Sequence, residues 1–375
     1  MSGPLTGLRV VEMAGIGPAP LAGQFLADLG AEVTLIARKS GQANPADINN
    51  RGKRSVALNL KHPEGVAAAM ALISGADVLI EGFRPGVMER MGLGPEDCAA
   101  RNPGLVYGRM TGWGQDGPMA QMAGHDINYL GLTGFLHAIG KADDVPTPPL
   151  NIGADYAGGT MFLLFGIMAA LYERQTSGRG QVIDAAMVDG ASALMALVHS
   201  MIAMGSWGET RESNMLDGGA PHYRTYECAD GKFIALGPLE PQFFAEMIAR
   251  AGIPDTQRAD QTDRAKWPGR REDYAAIFKQ KTRDEWTAIF DGTDACATPV
   301  LTWSEAPDHP HLAARQTFVA PGGVTQAAPA PRFSRTAPGP LRPPAAPGGD
   351  TEVALRGAGY DDATLARLKA DGVLT

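Results

Sequence analysis

The sequence predicts an α/β chain, with a large domain of βαβ units followed by a smaller α+β domain. Three observations carry this expectation. Short runs rich in Val, Leu and Ile alternate with helical patterns over the first third of the chain. Two long apolar helical stretches, 161–174 and 191–204, flank a strand-like run at 181–187. After Gly205 the texture becomes more polar.

The elements follow in order. Residues 8–13 (LRVVEM) read as a buried strand, 20–29 as a helix stopped by Gly30, and 32–37 as a second strand, which completes one βαβ unit. The pattern repeats with strand 56–60, helix 63–74 and strands 77–81 and 105–110. Gly178-Arg179-Gly180 breaks the first apolar helix ahead of strand 181–187. Further on, an Asp230-Gly231 turn introduces strand 232–236, and polar helical patterns cover 241–251 and 271–290. The segment 321–349 holds eight prolines and five glycines and forms no regular structure; an extended crossing segment and a disordered linker fit it equally well. The expected domains are 1–205 together with 320–375, and 206–319.

Composition narrows the function classes. At 375 residues, with about 150 per domain, two to three domains are expected. Hydrophobic residues at 44% and charged residues at 20% exclude a disordered or collagen-like chain. A net charge of −8 argues against a nucleic-acid partner. Cys98, Cys228 and Cys296 stand far apart, which supports neither a disulfide framework nor a metal cluster and suits a reducing, cytoplasmic setting. The opening MSGPLTGL has no leader pattern, and the longest apolar run, 12 residues at 161–172, falls short of the roughly 18 of a membrane span, so none is expected.

Several residues could carry chemistry. The turn Gly15-Ile16-Gly17-Pro18-Ala19-Pro20 begins like a dinucleotide fingerprint, but a proline replaces the third glycine, and Arg38-Lys39 stand where an acidic ribose ligand belongs. NAD binding is therefore excluded. Six basic residues, Arg38, Lys39, Arg51, Lys53, Arg54 and Lys61, cluster with one acid, Asp47; they fit either a phosphorylated small molecule or a solvated loop. Arg84 and Arg90 follow a strand end, where ligands of open α/β sheets sit. His309 and His311 lack further ligands and make a weak metal site. His125, in Gly124-His125-Asp126-Ile127-Asn128-Tyr129 after a glycine-rich turn, could reach a ligand, although spacing alone favours a structural role. Asp155, ahead of Gly158-Gly159-Thr160 and the apolar helix, reads as an N-cap, an active-site acid, or both; the glycines would let a ligand oxygen approach backbone amides. Glu240 is a lone carboxylate in an apolar, proline-bounded loop and has no signal of its own.

Together these segments resemble the α-methylacyl-CoA racemases, the racemase branch of the type III CoA-transferase family. The resemblance runs over nearly the whole chain, on 8–14 (LRVVEMA), 31–33 (AEV), 82–87 (GFRPGV), 111–114 (TGWG), 124–129 (GHDINY), 178–182 (GRGQV) and 215–221 (MLDGGAP). His125 and Glu240 point to that branch, because the transferase branch typically has glutamine and a glycine-rich loop at those places. The resemblance implies a large Rossmann-like CoA-binding domain and a smaller α+β domain in an interlocked homodimer. It also implies inversion at C2 of a 2-methylacyl-CoA thioester without a separate cofactor, CoA being part of the substrate. In that reading His125 and Asp155 are the two bases, and Glu240 orients the histidine across chains. Arg38, Asn59, Lys61, Arg84 and Arg90 meet the adenine and phosphates, and Gly124, Asp126 and Tyr129 lie beside the pantetheine and thioester. The segment 321–349 becomes a crossing strap. The implied alternative is a CoA transferase with Asp155 as the acyl-accepting nucleophile. Met187, Met195, Met201 and Met204 either line an adaptable acyl surface or fill helix core.

A carboxyl at a helix N-terminus is expected to ionise easily, whereas one direction of a two-base inversion needs Asp155 protonated. The expectation is that burial opposes the dipole and keeps the proton available.

Overall fold

The computed structural model describes residues 2–38, 42 and 44–374, so Lys39 lies outside the described residues. By its internal contacts the chain forms two compact units, Met1–Thr133 with Leu150–Leu194 and Gln316–Thr375, and Gly134–Pro149 with Met195–Arg315.

In the first unit, β1 (Arg9–Met13), α1 (Pro18–Asp28), β2 (Glu32–Ala37), β3 (Arg54–Ala57), α2 (Pro63–Ser74) and β4 (Val78–Glu81) follow the predicted order. Short helices α3 (Val87–Arg90) and α4 (Pro95–Arg101) lead to β5 (Val106–Thr111) and α5 (Asp126–Leu132). Next come α6 (Met161–Ser177), β6 (Val182–Ala186) and α7 (Met187–Leu194). The six strands form one sheet in the order β3-β2-β1-β4-β5-β6, and every neighbouring pair is parallel. β4 and β5 are buried along their whole length, which fits a sheet covered on both faces. Strand order reverses between β1 and β4. That reversal opens a crevice at the carboxyl ends of the strands, because the chain segments leaving β1 and β4 diverge there.

Ahead of α6 runs a π-helical segment, Ile152–Thr160, continuous with it. The joined helix, Ile152–Ser177, has 26 residues and a mean hydropathy of 1.4 over its most apolar stretch, long and apolar enough to cross a membrane by length and composition. The 12-residue count missed this, because it began at Met161. Leu163, Ile167 and Ala170 are the fully buried face of α6, and Leu163 and Ile167 pack on Gly108 of β5. Gly158 and Gly190 bring the π-helical segment against α7: a Cβ on Gly190 would lie 1.8 Å from the Gly158 carbonyl oxygen. Both Gly158 and Gly159 are thus buried in packing and are not the open approach for a ligand oxygen that the sequence suggested.

Two of the six clustered basic residues turn inward. Arg51 makes a two-pronged pair with Asp28 at 2.9 and 2.6 Å, and Lys53 bonds Glu12 at 2.8 Å and the Pro20 carbonyl at 2.9 Å. Both pairs are buried: Lys53 ties α1 to β1, and Arg51 ties the end of α1 to Gln326 and Ala327, so neither cation is available to a phosphate. Arg54 pairs with Glu32 in a half-exposed bridge at 3.3 Å. Only Arg38 and Lys61 of the described cluster remain exposed.

Against the expectation of no regular structure, residues 321–349 hold a 3-10 turn, Pro321–Gly323, and a two-residue strand, Gln326–Ala327, that pairs antiparallel with Phe318–Val319. β3 is the outermost strand, and this segment covers its edge: Arg51 pairs with Pro344, the Gly52 amide donates to the Arg342 carbonyl at 3.0 Å, and the Gly348 amide donates to Ser55 Oγ at 2.9 Å. Asp350 Oδ2 and Thr351 Oγ1 accept the amides of Ser55 and Ala57, each at 2.9 Å. Side-chain oxygens thereby satisfy an edge that prolines could pair only through carbonyls.

The second unit holds α8 (Ala196–Ala203), a three-stranded antiparallel sheet β7-β8-β9 (Arg224–Glu227, Phe233–Leu236, Ala297–Val300), and helices α9 (Pro241–Ala251), α10 (Trp267–Phe278) and α11 (Arg283–Phe290). Its core is aromatic, built on Tyr226, Phe244, Tyr274, Phe278, Trp286 and Phe290. Two expected helices are each divided. The pattern at 191–204 splits at Met195, whose ψ of 8° leaves the helical range. The pattern at 271–290 splits at Thr282, whose hydroxyl accepts the Glu285 amide at 3.3 Å while the Glu285 carboxylate accepts the Thr282 amide at 2.8 Å. That capping box is readable as Thr-Arg-Asp-Glu.

Burial pushes Glu12 up to about 7 and Lys53 below the usual ammonium value, with their mutual attraction opposing both shifts. A raised Glu12 means the folded state binds the proton more tightly, so stability falls as pH rises from the unfolded value through about 7. Lys53→Met removes the opposing attraction. It should cost about 3–5 kcal/mol at pH about 8 and distinctly less at pH about 5 in urea melts; an equal cost at both would show that Glu12 is not the group left unpaired.

Candidate active site

The crevice predicted by the strand order is present as a cavity of about 380 Å³ within the first unit. Ile16, Gly17 and Pro18 contribute from the β1–α1 turn, and Gly82, Phe83, Arg84 and Pro85 from the segment after β4. β5 supplies Met110 and Thr111, followed by Gly112 and Trp113. Gly124, His125, Tyr129, Asp155 and Met187 also line it, with Ala120, Met122 and Ala123 beside them. The two residues expected to act as bases therefore share one cavity at the switch point.

His125 occupies the N-cap position of α5 with extended backbone (φ −134°, ψ 174°), and its side chain is exposed. Its amide donates to Asn128 Oδ1 at 3.0 Å, which fixes the turn. The Tyr129 hydroxyl donates to the Gly124 carbonyl, and the Tyr129 ring meets Trp113 edge-on at 4.7 Å. Burial, with the charges of Asp155 and Asp126 behind it, pushes the phenol up to about 12, so it stays a donor. Gly112 lies flat against this ring: a Cβ there would be 2.2 Å from it.

Asp155 is half-buried inside the π-helical segment, whose N-cap position is held by Asn151. The capping is done from another helix. Asp126 Oδ1 accepts the amides of both Ala154 and Asp155 at 2.7 Å, near the start of the segment. The expectation of Asp155 as N-cap is corrected accordingly: helical backbone continues on both sides of it, so its carboxylate projects sideways. Gly17 faces it, with a Cβ there 3.5 Å from Oδ2, and Asn151 Nδ2 approaches Oδ2 at 3.5 Å. Burial first, and the Asp126 charge second, raise the Asp155 carboxyl above the ordinary aspartate value; Asn151 and His125 oppose them.

The remaining expected residues are dispersed. Gly124 and Arg84 line the His125 cavity. Arg38 lines a separate crevice of about 160 Å³ with Lys53, Arg54, Ser55 and Pro344. Asn59 follows β3, its Oδ1 accepting the Lys61 amide at 3.2 Å and its own amide bonded to the Val373 carbonyl at 2.9 Å. Lys61 and Arg90 are exposed and line neither cavity. Asp126 Oδ1 and the Tyr129 hydroxyl are engaged by the protein itself, in the bonds just described. Glu240 stands in the second unit at the N-cap position of α9, exposed, with no helix amide on its carboxylate. Of the four methionines, Met187 lines the cavity, Met201 is buried, and Met204 is exposed.

The β1–α1 turn lines this wall although it departs from a dinucleotide fingerprint, and nothing else in the sequence marks it. Asn151 is a further neighbour of Asp155 that the sequence expectations lack, although its i, i+4 spacing is a usable signal.

Residues 5–351 match the family model of CoA-transferase family III. The chain belongs to CoA-transferase family III. Within it, the chain is 44% identical to the mouse α-methylacyl-CoA racemase over 373 residues, covering 99% of this chain and 97% of that protein. It is also 44% identical to the human α-methylacyl-CoA racemase, covering 84% and 82%. The parallel α/β fold matches the crystal structure of a CaiB/BaiF family protein from Brucella suis, with a TM-score of 0.81 and 26% identity over 96% of this chain and all of that one.

A raised Asp155 in this family III chain has a consequence for stability. The folded state favours the protonated carboxyl, so the contribution of Asp155 is lost as pH rises from the unfolded value through the folded one. Asp155→Asn removes that loss. Its urea midpoint relative to the unsubstituted chain should climb as pH rises above the ordinary aspartate value; a pH-independent difference would show that Asp155 is not held toward its neutral form.

Proposed function

We propose that this chain is an isomerase that racemises 2-methylacyl-CoA thioesters by moving the C2 proton between His125 and Asp155. The observation that carries the reading is that an imidazole and a carboxyl held toward its neutral form line the same cavity. A thioester α-proton is weakly acidic, so its removal needs a base on one face and donors for the enolate oxygen. Inversion needs a second group on the other face that already holds a proton. Neutral His125 removes the proton while protonated Asp155 delivers another; for the opposite enantiomer, ionised Asp155 removes it and imidazolium His125 delivers. Each direction leaves the pair ready for the other.

The nucleotide end of CoA runs along the carboxyl edge of the sheet. Arg38 follows β2, Asn59 and Lys61 follow β3, and Arg84 and Arg90 follow β4, so a parallel sheet brings all five to one side. Exposed Arg38, Lys61, Arg84 and Arg90 supply charge-assisted donors for phosphate oxygens. CoA enters as part of the substrate, and acid–base chemistry alone accounts for the inversion. A cytoplasmic setting accompanies the reading.

The chain works as an interlocked homodimer, in which Glu240 of one protomer orients His125 of the other and residues 321–349 serve as a strap. What supports this is uncovered apolar surface: Phe165 and Tyr172 on α6 are 74% and 76% exposed, and Leu197, Ile202 and Met204 on and after α8 are also exposed. The domains we infer are the large CoA-binding part and the small α+β part expected from the sequence.

A single enantiomer of a 2-methylacyl-CoA incubated with the chain in heavy water should lose optical activity as deuterium enters C2, with no second acid present. Transfer of CoA to an added carboxylate without exchange would overturn the racemase reading in favour of an acyl-accepting Asp155. For the dimer, co-expressed His125→Ala and Glu240→Ala chains should recover activity that neither has alone, since one of the two shared sites is then intact; no recovery would contradict a site built from two protomers.

A further inference from the structure

Asp126 turns its side chain away from solvent and joins two elements of the site. Its side chain is 4% exposed although its neighbours His125 and Ile127 are exposed. Oδ1 accepts two amides at 2.7 Å, those of Ala154 and Asp155, so one oxygen joins the turn that carries His125 to the segment that carries Asp155. Oδ2 is buried with no hydrogen-bond partner among the described residues. A buried carboxylate oxygen left without a donor is costly, and its negative charge is poorly screened from the neighbouring carboxyl.

We propose that Asp126 is a positioning residue for the proton-transfer pair: its carboxylate locks Asp155 to the His125 turn, and its buried charge favours the state in which Asp155 holds the proton. The proposal rests on the reading that His125 and Asp155 exchange a proton with substrate. The higher-than-ordinary Asp155 value agrees with it, Asp126 being the second cause after burial. The other charged groups on elements packed against Ile152–Thr160 are committed elsewhere or exposed. On α1, Asp28 pairs with Arg51; on β5, Arg109 pairs with Glu81 and Glu89; on β6, Asp184 accepts the Gln115 amide. On α6, Arg174 pairs with Asp77 and Glu173 accepts the Ser177 hydroxyl, and on α7 Asp189 is exposed. That leaves His125, Asp126 and Tyr129 of α5 and its cap, with Asn151, as the groups around the Asp155 carboxyl.

The test separates charge from geometry. Asp126→Asn keeps an oxygen to accept both amides and removes the charge; Asp126→Ala removes both. The two competent states, neutral His125 with protonated Asp155 and imidazolium His125 with ionised Asp155, hold the same number of protons. Racemisation kcat/KM is therefore bell-shaped in pH, with the same limbs for both enantiomers. Without the neighbouring negative charge the first proton leaves more readily, so the acid limb of Asp126→Asn should move to lower pH by about one unit. KM for the acyl-CoA should stay near that of the unsubstituted chain. Asp126→Ala should lower kcat by about 10²-fold through misplacement of Asp155. An unmoved acid limb in Asp126→Asn, or a many-fold rise in KM at unchanged kcat, would overturn the proposal, the latter placing the side chain on substrate. Should Asp126→Ala not fold, Asp126→Asn decides alone. If the unsubstituted chain neither racemises nor exchanges the C2 proton, the underlying reading fails; if it does both and only the limb is unmoved, this inference alone fails.

Discussion

A parallel sheet whose order reverses between β1 and β4 must present the segments leaving its strands at one edge, and it must leave them parted at the reversal. Much of the rest of the molecule depends on that constraint. The β1–α1 turn, the segment after β4 and the segment after β5 form three sides of the cavity because their strands are neighbours at the switch point. His125 arrives there at the start of α5, and the segment before α6 brings Asp155. The local devices then refine positions within a frame the topology has already set. Tyr129 and Trp113 hold the His125 turn, and the Asp126 carboxylate ties it to the Asp155 segment.

Charge is spent unevenly across the first unit. The buried pairs Lys53–Glu12 and Arg51–Asp28 hold α1, whose start lines the cavity, at places where a lone charge could not be buried. Glu81 accepts the Phe83 amide at 2.7 Å and Arg109 at 3.0 Å, which fixes the course of the chain just before Arg84. Arg38, Lys61, Arg84 and Arg90 remain exposed, and it is to these that the proposed function assigns the CoA phosphates. The distinction between structural and available cations decides which part of a basic cluster can bind phosphate, and it is set by burial, not by sequence density.

Most of the sheet was legible in the sequence because buried parallel strands are continuous apolar runs and their helices end on glycine or proline signals. Ile36, Val56, Val78–Glu81 and Tyr107 all fall where periodicity put them. Helix continuity was less legible. A break such as Met195 is a backbone event with no punctuation residue, and the capping box at Thr282 sat inside an apparently unbroken pattern. Asp155 was readable as an acid before a helix, but not as a residue within a π-helical segment, since that depends on Asp126, 29 residues away, taking over the amides. Arg51 and Lys53 looked like ligands for the same reason: their partners Asp28 and Glu12 are 23 and 41 residues distant. The resemblance marked His125, Asp155 and Glu240, which local chemistry alone did not separate from structural residues.

The central claim is that an imidazole and a carboxyl each serve one face of the same carbon. If so, removing one base should silence inversion while sparing proton exchange on the face the other still serves. The most direct measurement follows C2 deuterium uptake by NMR for each pure enantiomer with His125→Ala and with Asp155→Ala. The account predicts that each variant exchanges one enantiomer without inverting it, that the two variants choose opposite enantiomers, and that neither racemises. Exchange of the same enantiomer by both variants, or undiminished racemisation by either, would contradict it.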